Sequence, residues 1–137
     1  MAARGTGKFC EVPRWDYGCV YAVEFSNNVI KVGMTQYPQS RLYGLNQEFR
    51  KRHDAVITRY HIGPHIEKRG MLRQTERKLI DAAAKAGRAF LQTREYFEGI
   101  AFDSAVELVE VASRRFKSRR AHAPQAETTE ASTASAG

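Results

Sequence analysis

Gly18-Cys19-Val20-Tyr21-Ala22-Val23-Glu24-Phe25, then Ser26-Asn27-Asn28, then Val29-Ile30-Lys31-Val32-Gly33-Met34 is two runs rich in β-branched and aromatic residues around a short polar break. Such runs suit a pleated surface, and Asn tolerates the positive φ that a tight turn needs, so the stretch predicts a β-hairpin. Two registers fit the residues. A three-residue loop at 26–28 sets Val23 opposite Lys31 and puts Tyr21 and Lys31 on one face. A two-residue Asn27-Asn28 turn slips the pairing by one, sets Lys31 against Glu24 as an ordinary cross-strand ion pair and sends Tyr21 to the other face. Pro38 then suits the first turn of a helix with Arg41 one turn inside it. In the first register, Tyr, Lys and Arg from three successive elements converge on a surface fit to handle phosphate.

Outward from the hairpin, Leu42, Leu45 and Phe49 form one apolar stripe and predict a helix over 38–52. Gly44 weakens it by about 1 kcal/mol relative to Ala, either as a tolerated imperfection or to admit a close backbone approach. Residues 55–62 read as a third strand, closed by Gly63-Pro64, and 71–86 as a second helix ending near Gly87. Arg94 to Gly99 is a short aromatic segment, strand or turn. A last helix runs over 103–116 from Asp103, a fair N-cap. Residues 1–16 read as a lead-in whose Gly-rich first eight are loose. Residues 17–120 form the domain, and 121–137, almost without bulky apolar residues, a disordered tail. The expected fold is α+β: a small three-stranded antiparallel sheet flanked by helices.

The chain carries a net charge of +7 and a pI near 9.7, which makes polyanions its natural partners, nucleic acid first, although a basic surface also serves solubility. Cys10 and Cys19 lack metal-type spacing and predict reduced thiols in a cytoplasmic setting. No apolar run approaches the ~20 residues of a membrane span. Glu76 shares the face of Leu72 and Leu79, where a carboxylate needs a compensating cation or metal unless it leans outward or pairs with Arg73 or Arg77. Arg41 flanks the first helix's stripe, placed to present its fork to a phosphate or to snorkel to solvent. His53, His61 and His65 lack zinc-type spacing. Arg114, Arg115, Lys117, Arg119 and Arg120 form a basic run that complements a helix dipole, lines a nucleic-acid groove or is simply solvated.

Gly18-Cys19-Val20-Tyr21, Lys31-Val32-Gly33, Arg41 and then Glu76 together resemble the GIY-YIG nuclease superfamily. Lys31-Val32-Gly33-Met34-Thr35 followed by Glu95-Tyr96-Phe97 is similar to its phage and bacterial branch, in which Lys stands at the second-motif tyrosine. The resemblance covers roughly residues 17–99. It implies a phosphodiesterase site using Mg²⁺ or Mn²⁺, with Glu76 as metal ligand and Tyr21, Lys31 and Arg41 as catalytic partners. It also favours the three-residue hairpin loop. In that scheme Tyr21 orients or deprotonates the attacking water with help from nearby positive charge, and Lys31 and Arg41 neutralise the transition state. The function implied is a divalent-metal-dependent endonuclease acting on nucleic acid, DNA first. The alternatives are an inactive nucleic-acid-binding module and a phage accessory interaction domain. Residue spacing leaves the oligomeric state open.

Overall fold

The structure, a computed structural model, describes residues 4–7 and 17–121, with side chains described through residue 114. Its elements in chain order are β1 (Arg4–Gly7), β2 (Cys19–Phe25), β3 (Ile30–Thr35), α1 (Pro38–His53), β4 (Ile57–Ile62), α2 (Arg69–Ala86), β5 (Arg88–Ala89), a 3₁₀ turn (Phe90–Gln92), β6 (Tyr96–Glu98) and α3 (Phe102–Ala121). The strands form one sheet in the order β1-β4-β2-β3-β6-β5, antiparallel except where β1 runs parallel to β4. The sheet is thus six-stranded and mixed, larger than the three antiparallel strands expected. Arg4–Gly7, read from sequence as loose, is a strand. The rest of the expected lead-in, including Cys10, and the tail beyond 121 lie outside the described residues.

The β2–β3 hairpin takes the three-residue loop. Phe25 N–H donates to Val29 O at 2.9 Å and Asn28 N–H to Phe25 O at 2.8 Å, with Asn28 at φ 69. Tyr21 therefore stands opposite Gly33 and Val23 opposite Lys31. Glu24 pairs instead with Arg59 on β4, at 2.8 Å.

The period-2 alternation of β2 and β3 sorts their side chains into two cores. Val20, Ala22, Ile30 and Val32 pack with Leu72, Leu79 and Ala83 of α2 and Ala105 and Val109 of α3. Cys19, Tyr21, Val23 and Phe25 pack with Leu45 and Phe49 of α1. The sheet is covered on both faces, which explains why β2 is apolar at almost every position. Phe49 seats α1 by stacking on Phe25 at 3.8 Å and on Tyr96 at 5.5 Å between ring centroids. Gly44 faces open space, with nothing within 4 Å of a Cβ placed there, so it admits no close approach. No helix among the described residues is long and apolar enough to cross a membrane.

Candidate functional site

Strand β6 pairs with β3 only at Ile30 and Lys31, and one further bond runs from Val32 N–H to Glu95 O at 3.0 Å. Beyond Val32 the outer edge of β3 has no strand partner among the described residues. Side chains from both covering layers meet at this gap.

From the α1 side come Tyr21, Lys31 and Arg41. Tyr21 is 1% and Lys31 2% exposed, and both are aimed across the face by the hairpin register. Gly33, opposite Tyr21, lets the Tyr21 hydroxyl and the Lys31 ammonium pack close over its backbone: a Cβ there would stand 2.8 Å from Tyr21 Oη and 3.3 Å from Lys31 Nζ. Arg41 extends the Leu45–Phe49 stripe by one turn, which sets its exposed guanidinium beside the Tyr21 hydroxyl. Arg41 acts on that hydroxyl through its charge and through a side-chain hydrogen bond, one too poorly aligned to satisfy the hydroxyl, which has no hydrogen bond of good geometry among the described residues.

Lys31 donates to the Glu95 carboxylate and lies 5.0 Å from the centre of the Tyr96 ring. Glu95, in the turn just before β6, was not singled out by the sequence. Its role depends on where β6 stops against β3, and its only sequence signal is its place before Tyr96-Phe97. Glu76 comes from the other side of the sheet. It is half-buried on α2, and its carboxylate accepts a hydrogen bond from the Met34 backbone N–H, with Arg73 nearby. The gap in pairing is what lets α2 contribute to a site otherwise built under α1.

The electrostatics follow from burial in a small volume. Burial holds the Tyr21 phenol well above its ordinary range, outweighing Arg41, so Tyr21 stays protonated and is a hydrogen-bond donor. Lys31 is pulled down by burial and held up in part by Glu95. Arg41 is pushed up, chiefly by Tyr21. Glu76 is raised by burial first and by the charge of Glu95 second, and Tyr96 is raised by burial.

The four expected site residues are thus gathered at one edge, and Glu95 joins them. Of the basic run, Arg114 alone has a described side chain. Arg114 is exposed on α3, across the sheet from α1, and the side chains of Arg115, Lys117, Arg119 and Arg120 lie outside the described residues. The histidines are dispersed: His53 packs at a tilt on Phe49, 4.4 Å between ring centroids, and His61 joins Glu110 at 2.7 Å to Thr6 at 2.8 Å. Among the described residues no three His, Cys, Asp or Glu side chains gather where a metal ion would be held.

Searches of curated proteins and of solved structures find no match. A family match does exist, covering residues 17–127, and it is to the T5orf172 domain. The membership expected from the Gly18–Tyr21, Lys31–Gly33, Arg41 and Glu76 motifs is therefore corrected: short motifs in a shared order do not separate one family from another, whereas a match along the whole domain does. The chain belongs to the T5orf172 domain family.

Proposed function

We propose that this domain hydrolyses phosphodiester bonds in nucleic acid, DNA first, with Mg²⁺ or Mn²⁺ as cofactor. The reading is carried by one observation. The Tyr21 hydroxyl is buried without a hydrogen bond of good geometry, packed over Gly33 next to the Lys31 ammonium and within the reach of Arg41, its one side-chain hydrogen-bonding neighbour among the described residues. A buried polar group left unpaired costs about 1–3 kcal/mol, and a donor so placed among cations suits an anion with oxygen acceptors. The family's association with nuclease-like or DNA-binding functions in phages and bacteria and the net charge of +7 support the same reading.

The donor set fits a hard divalent cation held partly by substrate. Glu76 would supply one oxygen ligand, with phosphate oxygens and water completing the shell, a usual pattern for Mg²⁺. A cation there would relieve the burial and the repulsion from Glu95 that raise Glu76. When bound, it stabilises negative charge on the departing 3′ oxygen. The chain's own residues do the rest. Tyr21 donates to a phosphate oxygen or to the attacking water and fixes its position. Lys31, locked by Glu95, and Arg41 offset the charge that builds on the non-bridging oxygens. Water oxygen bonds to phosphorus, the bond to the 3′ oxygen breaks, and the water proton passes through solvent to the departing oxygen.

The test is purified protein with end-labelled single-stranded, duplex and branched DNA in Mg²⁺, Mn²⁺ or EDTA. Cleavage in either metal, stopped by EDTA, is expected. Salt-sensitive binding with no cleavage of any substrate would replace the enzyme with a binding module.

A further inference from the structure

A cavity of about 330 Å³ opens beside the site, lined by Tyr17, Met34, Thr35, Arg69, Leu72 and Arg73 among others. It lies between the end of β3 and the start of α2. Two of its lining residues also belong to the surroundings of Glu76: the Met34 backbone bonds the Glu76 carboxylate, and Arg73 acts on it through its charge. The cavity and the proposed phosphate site are therefore neighbours across one backbone segment. Gly18 brings Tyr17 there, because a Cβ at Gly18 would stand 1.9 Å from Thr35 O, so only glycine lets the chain cross so close to the end of β3.

The lining is divided. Tyr17, Met34 and Leu72 supply an aromatic ring and an apolar wall, while Arg69 and Arg73 are exposed cations lining it. A planar heteroaromatic base attached to a phosphate matches that division, since bases stack on aromatic faces whatever their identity and Arg pairs with phosphate. The volume is at the small end of the ~300–1,000 Å³ typical of ligand pockets, of the order of one nucleotide. A base held in a duplex reaches such a pocket only by leaving the stack, which is easiest where it is already unpaired.

We propose that this cavity receives one unpaired nucleotide next to the scissile phosphodiester, so that the domain selects strands carrying an unstacked nucleotide over continuous duplex. The proposal rests on the phosphodiesterase reading for what lies beside the pocket, and it names the substrate class of that site.

Fluorescence anisotropy in EDTA, where the proposed hydrolysis stops, measures the preference directly. The probes are a labelled single strand, a blunt duplex and the same duplex with a one-nucleotide bulge. The wild-type chain should bind the single strand and the bulged duplex at least about tenfold more tightly than the blunt duplex, a ratio within what one stacked base contributes. Tyr17→Ala should erase that ratio and Tyr17→Phe should keep it. Arg69→Gln combined with Arg73→Gln, both on exposed side chains, should also reduce the ratio. It should lower the salt slope for the single strand by about 0.7 for each phosphate that an arginine no longer neutralises. If Tyr17→Ala fails to fold, the double arginine variant decides. Equal wild-type affinity for all three probes overturns the proposal, as does an undiminished preference in the double variant or in a folded Tyr17→Ala. Parallel reactions in Mg²⁺ keep the two readings apart. A preference without cleavage retires the hydrolytic step and leaves the pocket standing. Cleavage without a preference retires the pocket alone.

Discussion

At the scale of single residues, the site is an arrangement of costs that folding alone would not select. Tyr21 keeps a buried hydroxyl without a hydrogen bond of good geometry, and Lys31 keeps a buried ammonium satisfied chiefly by Glu95. Removing such a group should leave stability unharmed while harming function. Tyr21→Phe should melt at or above the wild-type temperature, because the unpaired hydroxyl costs about 1–3 kcal/mol; a lower melting temperature in a thermal scan would show that the hydroxyl has a stabilising partner. Glu95→Gln gives a sharper reading through pH. Glu95 raises both Lys31 and Glu76, so removing its charge lets both titrate at lower pH. If activity needs Glu76 ionised and Lys31 protonated, both limbs of the pH–rate profile should move to lower pH together. A profile that keeps its position would take Glu95 out of the site. Tyr21, Lys31, Arg41 and Glu76 were named as candidates because their motifs occur in the order that the family resemblance carries, while residue type and spacing alone left each with an ordinary structural reading. Glu95 was not, since nothing local tells where a neighbouring strand will end.

Among the elements, what was legible followed from periodicity and turn chemistry. The hairpin and the three helices stand close to their predicted ranges because alternation and apolar stripes are strong local signals. The hairpin register came from the family resemblance, since the residues alone allowed both. Strand β1 was missed for the opposite reason. Arg4-Gly5-Thr6-Gly7 has no apolar alternation, and it joins the sheet through backbone pairing with β4. Gly5 passes so close to the Tyr60 ring that a Cβ would stand 2.0 Å from it, a tertiary approach that local pattern does not encode. Helix α1 carries a separable imperfection. Gly44 touches nothing, so Gly44→Ala should stabilise the protein by about 0.5–1 kcal/mol through helix propensity and leave cleavage unchanged. Denaturant titration beside a cleavage assay checks both, and a loss of cleavage would place that stretch of α1 against substrate.

For the whole molecule, both faces of the sheet are covered and the site opens where pairing fails at one strand edge, so stability and proposed function share the same few buried groups. The six-stranded extent was not legible because β1 and β5 are short and set by tertiary pairing, and β6 (Tyr96–Glu98) was legible only as a short strand or turn. Glu76 links pH to global stability. Its folded pKa is raised above the ordinary 4.5, so its contribution to stability is full below about pH 4.5 and is lost as pH rises through the raised value. Glu76→Gln removes that loss. Its melting temperature relative to wild type should be highest near pH 7 and the difference should shrink as pH falls toward 4.5; a variant less stable than wild type at pH 7 would contradict this. The central claim is that one gathered site at the β3 edge cleaves DNA, and single-turnover cleavage by wild type, Tyr21→Phe and Glu76→Gln at matched folded fractions tests it most directly. The account predicts metal-dependent cleavage by the wild type and a loss of about 10²–10³-fold in each variant without loss of fold, whereas folded variants that cleave at the wild-type rate, or a wild type inert in both Mg²⁺ and Mn²⁺, would contradict it.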